Sequence, residues 1–467
     1  MTMWPGFTGG KPARSWLGSR GVMMRLLSAW LFLLVIGGAV SAAERPNIIV
    51  LFSDDAGYAD FGFQPGVRAD MKRLTPHIDS IARDGVRLSA AYMSGAVCSP
   101  SRAGLMTGRY QQRFGHDNNI PPGYLKGGLP LSETFGTKRL RGVGYKTGLI
   151  GKWHLGYPPS FHPNRRGFDW FYGCLQGSRS YFPYAKPHPY RVLQENGRAT
   201  PETGYVTDRL GDAACRFIGE HREEPFYLFV SFTAPHGPLQ AKPAHLKKLA
   251  GIPAGKRRRY AGLVVSLDEN VGKILAALKT NELDRRTLVI FTNDNGGQTK
   301  TGANNFPLRG RKGQLWEGGI RVACAMRWPG RIAAATVLDD PVISLDFLPT
   351  FLAVAGAKPE PGWKLDGVNL LSRLTGSGKA PLPSRHLFWR GGGSNGPIAV
   401  RHGDWKMIHN RQVNAQPELY HLGDDIRETV DLAEKHPRRL AALLSQASAW
   451  EGELIEPRWG KGSKPIR

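Results

Sequence analysis

The stretch Pro46-Asn47-Ile48-Ile49-Val50-Leu51-Phe52-Ser53-Asp54-Asp55 decides how this chain folds. Its uninterrupted apolar run has the length of a strand and is typical of one buried on both faces, in the centre of a sheet. In open α/β sheets ligands bind at the carboxyl ends of the strands, where this stretch carries Asp54 and Asp55. Adjacent carboxylates repel each other unless a cation lies between them or they point apart, so the pair indicates a divalent-cation site. A turn with two solvated aspartates is the alternative.

A second stretch, residues 288–297, repeats this arrangement. An apolar strand is followed by Asp294 and Asn295, and the next two glycines allow the backbone to approach a ligand closely. Between the two stretches, residues 75–85 have the pattern of an amphipathic helix and residues 86–92 that of a strand. This alternation predicts an α/β fold with a largely parallel sheet wrapped by helices.

Residues 98–109 read Cys98-Ser99-Pro100-Ser101-Arg102-Ala103-Gly104-Leu105-Met106-Thr107-Gly108-Arg109. With Pro100 in the first helical position, Cys98 is expected at a helix N-terminus, where free N–H groups and the helix dipole favour an anion. That position suits chemistry on an anionic ester. A soft thiolate does not match the hard oxygen donors of a Ca²⁺ or Mg²⁺ site, and the mismatch disappears if oxygen replaces the sulfur. A buried, inert cysteine is the alternative.

Two further strand ends carry side chains suited to proton transfer and anion binding. Lys152 and His154 are two residues apart on an extended segment and share one face, so both can address one ligand. His236 follows Pro235 at the end of an apolar run and is held in a fixed direction. A solvated strand edge is the alternative for the first pair, and a surface turn is the alternative for His236.

The net charge of +25 predicts attraction to polyanions but no particular fold. Because no zinc-finger, basic-zipper or RNA-recognition signature is present, nothing favours nucleic acid over a sulfated or acidic polysaccharide, and no nucleic-acid partner is predicted. The chain has four cysteines, so with Cys98 committed to chemistry at most one disulfide can form.

Residues 1–43 are interpreted as a signal peptide. Basic residues precede the apolar run 26–40, which is short for a membrane span, and Ser41-Ala42-Ala43 supplies a small-residue cleavage site. Export to a periplasm or to the outside is therefore expected, with no stable membrane insertion after cleavage. An uncleaved membrane anchor is the alternative.

The C-terminal part of the chain has a different pattern. A polar stretch with glycine and proline at residues 375–383 is typical of a linker. Four strand-length segments and a helix at about residues 438–450 follow it and predict a small antiparallel sheet with a terminal helix. The predicted organisation is a signal peptide at 1–43, a catalytic domain at 44–375 and a small C-terminal domain at 376–467.

The run Cys-x-Pro-x-Arg, continued by Leu-Met-Thr-Gly-Arg, resembles the signature of type I sulfatases. In that family the cysteine is oxidised after synthesis to Cα-formylglycine. Further segments resemble the family in the same order, namely residues 54–62, 151–156, 234–236 and 308–322. Arg311 and Ala323 depart from residues common in the family, at positions without a catalytic role. The resemblance implies an alkaline-phosphatase-like fold, with a large mixed sheet flanked by helices and a small C-terminal domain.

The resemblance also implies a metal site and a modified residue. Its ligands would be Asp54, Asp55, residue 98, Asp294 and Asn295. One Ca²⁺ ion is expected there, with Mg²⁺ as the alternative, and Cys98 is expected as formylglycine.

The catalytic roles are likewise carried over from the family. Lys152 and Lys312 would hold the sulfate, and Arg102 would hold the formylglycine hydrate. His236 would protonate the departing alcohol, and His154 would remove a proton from the hydrate when sulfate is expelled.

Hydrolysis of sulfate esters on a sulfated saccharide or polysaccharide is the expected function. The expected partners are a sulfated carbohydrate substrate and a formylglycine-generating maturation enzyme. A phosphonate monoester hydrolase or phosphodiesterase of the same superfamily is one alternative. A non-catalytic polyanion-binding protein is the other.

Overall fold

In the computed structural model, which describes residues 45–186, 188–378, 381–413 and 415–463, sixteen strands form three sheets. The predicted signal peptide at 1–43 lies outside these residues and stays a prediction. In the part of the chain that is described, no helix combines the length and apolar character that crossing a membrane requires. The strands are β1 (Asn47–Ser53), β2 (Val86–Leu88), β3 (Ala91–Tyr92), β4 (Lys146–Lys152), β5 (Trp170–Cys174), β6 (Gln194–Glu195), β7 (Arg198–Ala199), β8 (Phe226–Ser231), β9 (Thr287–Asn293), β10 (Cys324–Arg327), β11 (Thr336–Leu338), β12 (Val342–Ile343), β13 (His386–Arg390), β14 (Ile398–His402), β15 (Trp405–His409) and β16 (Glu418–His421).

The largest sheet has ten strands in the order β11-β2-β10-β9-β1-β8-β4-β5-β6-β7. Its centre, from β9 to β5, is parallel, whereas β10, β6 and β7 pair antiparallel with their neighbours. The register places Phe52 beside both Thr292 and Ser231, and Ser231 beside Gly151. Four neighbouring strands therefore end at the same level. The prediction of a large mixed sheet is confirmed.

Helices cover both faces of this sheet. In β1, Ile48, Val50 and Phe52 pack into one apolar cluster, while Ile49 and Leu51 pack into another on the opposite face. The helices are α1 (Pro76–Arg83), α2 (Cys98–Thr107), α3 (Gly136–Gly142), α4 (Val206–Glu220), α5 (Pro243–Lys248), α6 (Lys256–Thr280), α7 (Glu317–Ile320), α8 (Phe347–Val354), α9 (Leu371–Leu374) and α10 (Pro437–Glu451). Side chains of α2 and α8 join the first cluster, and those of α4 and α6 the second. A strand buried on both faces explains the unbroken apolar run of β1.

Two local expectations are wrong in detail. Residues 86–92 are not one strand, because the chain turns after Leu88, where the Ser89 amide donates to the Leu338 carbonyl at 2.9 Å. The second half, β3, pairs with β12 in a separate sheet. Helix α2 begins at Cys98 rather than at Pro100, since the Ser101 amide already bonds to the Val97 carbonyl.

The small C-terminal sheet is also confirmed. Strands β13 to β16 pair antiparallel in sequence order, and α10 follows them. This sheet shares an apolar cluster with Tyr92 and Tyr110, and the Trp389 indole donates to the Met93 carbonyl at 2.7 Å. The C-terminal sheet therefore packs against the segments on either side of α2. The domain boundary at 375/376 stays a prediction.

Candidate active site

The strand ends bring most of the predicted residues to one edge of the large sheet. Asp54 and Asp55 follow β1, Asp294 follows β9, and Lys152 is the last residue of β4. Backbone hydrogen bonds tie the ends together, because the Asp54 amide donates to the Ala234 carbonyl and the Asp294 amide to the Ser53 carbonyl. Parallel strands that end level thus place side chains from distant parts of the chain in one pocket.

Cys98 lies at the centre of this group. It is the first residue of α2 and is 1% exposed. Its Sγ lies 3.6 Å from Asp54 Oδ1 and 3.2 Å from Lys312 Nζ. Burial raises the pKa of the thiol to about 12, and Asp294 adds to the effect. The sulfur is therefore protonated at neutral pH.

The carboxylates and one amide form a set of hard oxygen donors. Ligand atoms of Asp54, Asp55, Cys98 and His236 all lie within 4.8 Å of one another. Asn295 Nδ2 donates to Asp55 Oδ1 at 2.8 Å, whereas Asn295 Oδ1 is buried and has no hydrogen-bond partner among the described residues. An orphaned amide oxygen beside carboxylates fits a Ca²⁺ or Mg²⁺ ion, which takes oxygen ligands.

Three cations balance these carboxylates. Lys152 Nζ lies 2.6 Å from Asp54 Oδ2, and Lys312 Nζ lies 2.7 Å from Asp55 Oδ1. Arg102 Nη2 lies 3.1 Å from an oxygen of Asp294 and 3.7 Å from one of Asp54. Lys152 and Arg102 are fully buried. Such a cluster presents positive charge to an anionic group without using solvent-exposed side chains.

The two buried aspartates respond differently to their surroundings. Burial, together with Asp294, raises the pKa of Asp54. Although burial also acts on Asp294, the neighbouring Arg102 and Lys152 lower the pKa of that carboxyl below its ordinary value. Asp294 therefore carries the negative charge of the pair more readily than Asp54.

The two predicted histidines have different environments. His236 Nε2 lies 3.5 Å from Asp55 Oδ2, and its Nδ1 is 2.7 Å from the Gly237 carbonyl, which only an Nδ1–H can satisfy. Its Nε2 is therefore the ring nitrogen left to face the site, and it carries a proton only when the ring is doubly protonated. His154 is buried, and burial together with Lys152 lowers its pKa well below 6.5, so it is neutral. Its Nδ1 has no partner among the described residues and can accept a proton.

Sequence reasoning missed several residues that hold this site. Ser231, at the end of β8, accepts a hydrogen bond from Arg102, and its strand-end position was the available signal. Asn293 Oδ1 accepts from the Ala56 amide and supports the turn that carries Asp54 and Asp55. Tyr181 donates to the His236 carbonyl, but nothing in its aromatic-rich segment distinguishes it in the sequence.

The sulfatase family model matches residues 46–357, which include every residue of this site. The chain belongs to the type I sulfatase family. A second model, described as N-sulphoglucosamine sulphohydrolase, C-terminal, matches residues 311–447. Among curated relatives of this sulfatase, arylsulfatase A of Bos taurus is 35% identical over 81% of this chain and 77% of its own. N-acetylgalactosamine-6-sulfatase of Mus musculus is 34% identical over 79% and 72%.

Solved structures give the same result for the fold. The crystal structure of Ps i-CgsB in complex with k-i-k-neocarrahexaose has 36% sequence identity and a TM-score of 0.84, and the match covers 90% of this sulfatase and 95% of that chain. PsFucS1 sulfatase from Pseudoalteromonas sp. has 25% identity and a TM-score of 0.74, with 93% and 95% covered. The alkaline-phosphatase-like fold and the sulfatase assignment are confirmed.

Proposed function

We propose that this sulfatase hydrolyses sulfate esters of a sulfated oligosaccharide with a formylglycine made from Cys98. The observation that carries the proposal is the position of Cys98 Sγ at the start of α2, between Asp54 Oδ1 and Lys312 Nζ. A protonated, buried thiol is a poor nucleophile and a poor ligand for a hard cation. An oxygen in the position of the sulfur would accept a hydrogen bond from Lys312 Nζ and would be a suitable ligand for the hard cation that Asp54 is proposed to bind.

Each residue of the site then has a task. Lys152 and Lys312 bind sulfate oxygens and stabilise the charge that develops during transfer, while Arg102 orients residue 98. A formylglycine hydrate would supply the oxygen that bonds to sulfur, with the proton of that hydroxyl passing to Asp54, whose Oδ1 lies beside residue 98, and its second hydroxyl would later expel sulfate as the aldehyde re-forms. Doubly protonated His236 donates its Nε2 proton to the ester oxygen when the sulfur–oxygen bond breaks and keeps the Nδ1–H bond to the Gly237 carbonyl. Neutral His154 accepts the proton of the second hydroxyl.

A divalent cation would be held by Asp54, Asp55, Asp294, Asn295 and residue 98. It supplies positive charge that neutralises the carboxylates and polarises the sulfate. Ca²⁺ is the proposed ion and Mg²⁺ the alternative. The orphaned Asn295 oxygen supports this ligand set.

The neighbours in the comparisons support a saccharide substrate. The structural neighbour Ps i-CgsB was solved in complex with k-i-k-neocarrahexaose. The match to N-acetylgalactosamine-6-sulfatase of Mus musculus covers 72% of the length of that protein. We therefore propose as substrate a sulfated oligosaccharide related to that neocarrahexaose, which also suits the charge of +25. A host with a formylglycine-generating enzyme and export to a periplasm or to the outside complete the proposal.

Mass spectrometry of the peptide that carries residue 98 tests the modification directly. Conversion of the thiol to an aldehyde is expected to lower its mass by about 18 Da, from the atoms exchanged. Cys98→Ala is expected to abolish turnover of both p-nitrophenyl sulfate and k-i-k-neocarrahexaose, whereas Cys215→Ala, at a free half-buried cysteine, serves as the matched control. Faster turnover of phenyl phosphonates than of sulfate esters would favour the phosphonate hydrolase. Lack of turnover by fully modified protein on a broad panel of sulfated glycans would favour the polyanion-binding protein.

A further inference from the structure

A cavity of about 220 Å³ is lined by residues that are next in sequence to two proposed catalytic residues, and it has no task in the mechanism above. Val97, which precedes Cys98, and Gly313, which follows Lys312, both line it. The Gly313 amide donates to the Ala96 carbonyl at 2.8 Å, so the two segments are joined at the cavity wall. Pockets for small molecules usually measure ~300–1,000 Å³. This cavity therefore has room for one sugar ring or one charged substituent rather than for a chain.

Arg390, the last residue of β13, forms part of the cavity wall. Its side chain is 3% exposed, its Nε donates to Asp117 Oδ1 at 2.9 Å, and its Nη2 donates to the Ile455 carbonyl at 2.8 Å. A guanidinium has five N–H donors, and Nη1 makes no hydrogen bond with any residue that the structure describes. The group is thus fixed in direction and keeps an unused pair of donors.

Lys461 brings a second cation to the same cavity. Its backbone is held in place, because Asn118 Nδ2 donates to the Lys461 carbonyl at 2.9 Å and to the Trp459 carbonyl at 2.8 Å. Its side chain is exposed, and within residues 45–463, as far as they are described, its ammonium group forms no ion pair. A positioned but unpaired lysine at the rim suits the binding of an anion.

Asp117 does not fully cancel the charge of Arg390. Burial raises the pKa of Asp117 to about 6, against the effect of Arg390 itself. In mildly acidic solution part of the Asp117 population is therefore protonated. The charge of Arg390 is then less compensated by Asp117, and Glu456 is the other carboxylate close enough to act on Asp117.

We propose that this cavity binds a second anionic group of the substrate, a sulfate or a carboxylate on the sugar ring next to the scissile ester, through Arg390 and Lys461. This subsite rests on the proposed function, because it assigns the ring beyond the reacting sulfate. A charge-assisted hydrogen bond of this kind is expected to raise affinity at least about tenfold, and a tenfold change corresponds to about 1.4 kcal/mol. The subsite thus selects doubly anionic substrates.

Three disaccharides that differ only in the neighbouring ring test this selection. The ring next to the sulfated one carries a sulfate, a carboxylate or a neutral hydroxyl. The modified enzyme is expected to show kcat/KM at least about tenfold higher for an anionic neighbour than for the neutral one. Whether the sulfate or the carboxylate compound is preferred identifies the group, and either preference supports the subsite. Equal values for all three compounds would overturn it.

Two sets of variants locate the effect. Lys461→Ala is expected to lower the preference about tenfold, and Lys461→Arg is expected to retain it. Because Arg390→Gln alone would leave Asp117 buried without a partner, the double variant Asp117→Asn/Arg390→Gln removes both charges together. Lys279→Ala, at an exposed lysine in the last turn of α6, is the matched control. A preference that survives in both Lys461→Ala and the double variant contradicts the proposal.

Binding measurements separate this subsite from the catalytic proposal. Calorimetric titration of Cys98→Ala with the same three disaccharides reports binding without turnover. Tighter binding of the anionic compounds that is lost in Cys98→Ala/Lys461→Ala supports the subsite even if no sulfate ester is hydrolysed. Equal binding of all three compounds overturns the subsite even if the modified enzyme is an active sulfatase.

Discussion

Ser99 and His116 form a buried hydrogen bond directly beside residue 98. The two side chains lie 2.6 Å apart, and the Ser99 hydroxyl donates to the His154 carbonyl at 2.8 Å. His154 has a positive φ of 60°, a conformation that is strained for a residue with a side chain. The pair therefore helps to hold the backbone of a proposed catalytic residue, and His116 Nε2 must carry the proton that the hydroxyl oxygen accepts.

His116 makes the folded protein sensitive to acid. Burial, with Arg458, lowers the pKa of His116 to about 3 from its ordinary 6.5. The unfolded chain takes up a proton as the pH falls below 6.5, whereas the folded chain does so only near pH 3. The stability from the neutral imidazole is thus complete above pH 6.5 and is lost progressively below it.

Urea unfolding at pH 7.5 and at pH 5 measures this loss. Wild-type protein is expected to lose more unfolding free energy between the two values than His116→Asn, because the variant lacks the depressed group. His188→Asn, at an exposed histidine, is the control and is expected to keep the wild-type pH dependence. An equal pH dependence in wild type and His116→Asn would contradict the assignment.

The glycine-rich loop around α7 positions Lys312. Gly319 lies so close to the preceding turn that a Cβ atom there would lie 1.9 Å from the Gln314 carbonyl oxygen and 2.7 Å from that of Arg311. The Gly319 carbonyl accepts from the Gly296 amide at 2.9 Å, beside Asn295. One residue without a side chain thus joins the loop of Lys312 to the turn that carries Asp294 and Asn295.

Gly319→Ala is expected to displace this loop. Because misplacement of a catalytic group by about 1 Å can lower the rate ~10²-fold, kcat on p-nitrophenyl sulfate is expected to fall about tenfold to a hundredfold. Gly142→Ala is the matched control, since a Cβ at that exposed helix end meets nothing within 4 Å. Similar kcat values for the two variants would show that the tight contact does not position Lys312.

Some residues of this site could be predicted because they follow a local sequence pattern, whereas others are defined only by contacts across the fold. Buried strands with polar residues at their ends have a local pattern, so Asp54, Asp294 and Lys152 could be placed at one edge from the sequence alone. The partners across the fold could not be, because Ser231 with Arg102 depends on contacts between residues far apart in the chain. The resemblance to sulfatases supplied Lys312, since no periodicity distinguishes a lysine in a loop.

A buried ionic cluster joins the C-terminal sheet to the loop that carries Lys312. Lys406, in β15, is 0% exposed and lies 2.8 Å from both Glu317 and Glu428. The Glu317 amide donates to Glu428 at 2.7 Å, and Tyr92 donates to Glu317 at 2.6 Å. Four segments of the fold, β3, α7, β15 and the segment after β16, thus share one cluster, which a small C-terminal sheet alone could not bury.

The two carboxylates of this cluster hold their charge unequally. Although both are buried, Lys406 and Arg321 lower the pKa of Glu317 to about 2. Burial raises the pKa of Glu428 to about 7, against the effect of Lys406. Glu317 is therefore the permanent partner of the lysine, and Glu428 gains or loses its proton near neutral pH.

Lys406→Met removes the only cation that reaches both carboxylates among the described residues. Removal of one partner from a buried pair costs about 3–5 kcal/mol, because it leaves a buried charge without compensation. The unfolding free energy of Lys406→Met is expected to fall by about this amount in urea titrations followed by tryptophan fluorescence. Loss of sulfatase activity should coincide with the fluorescence change, since the cluster fixes the loop of Lys312.

Lys273→Met is the control for this variant. Its ion pair with Asp212 is at the surface, where such pairs contribute roughly 0–1 kcal/mol. A change in Lys406→Met no larger than that in Lys273→Met would mean that water reaches the cluster and that the C-terminal sheet does not brace the active site. A large loss restricted to Lys406→Met, partly recovered in Lys406→Met/Glu428→Gln, would instead trace the loss to the uncompensated carboxylates, because the double variant buries one charge fewer.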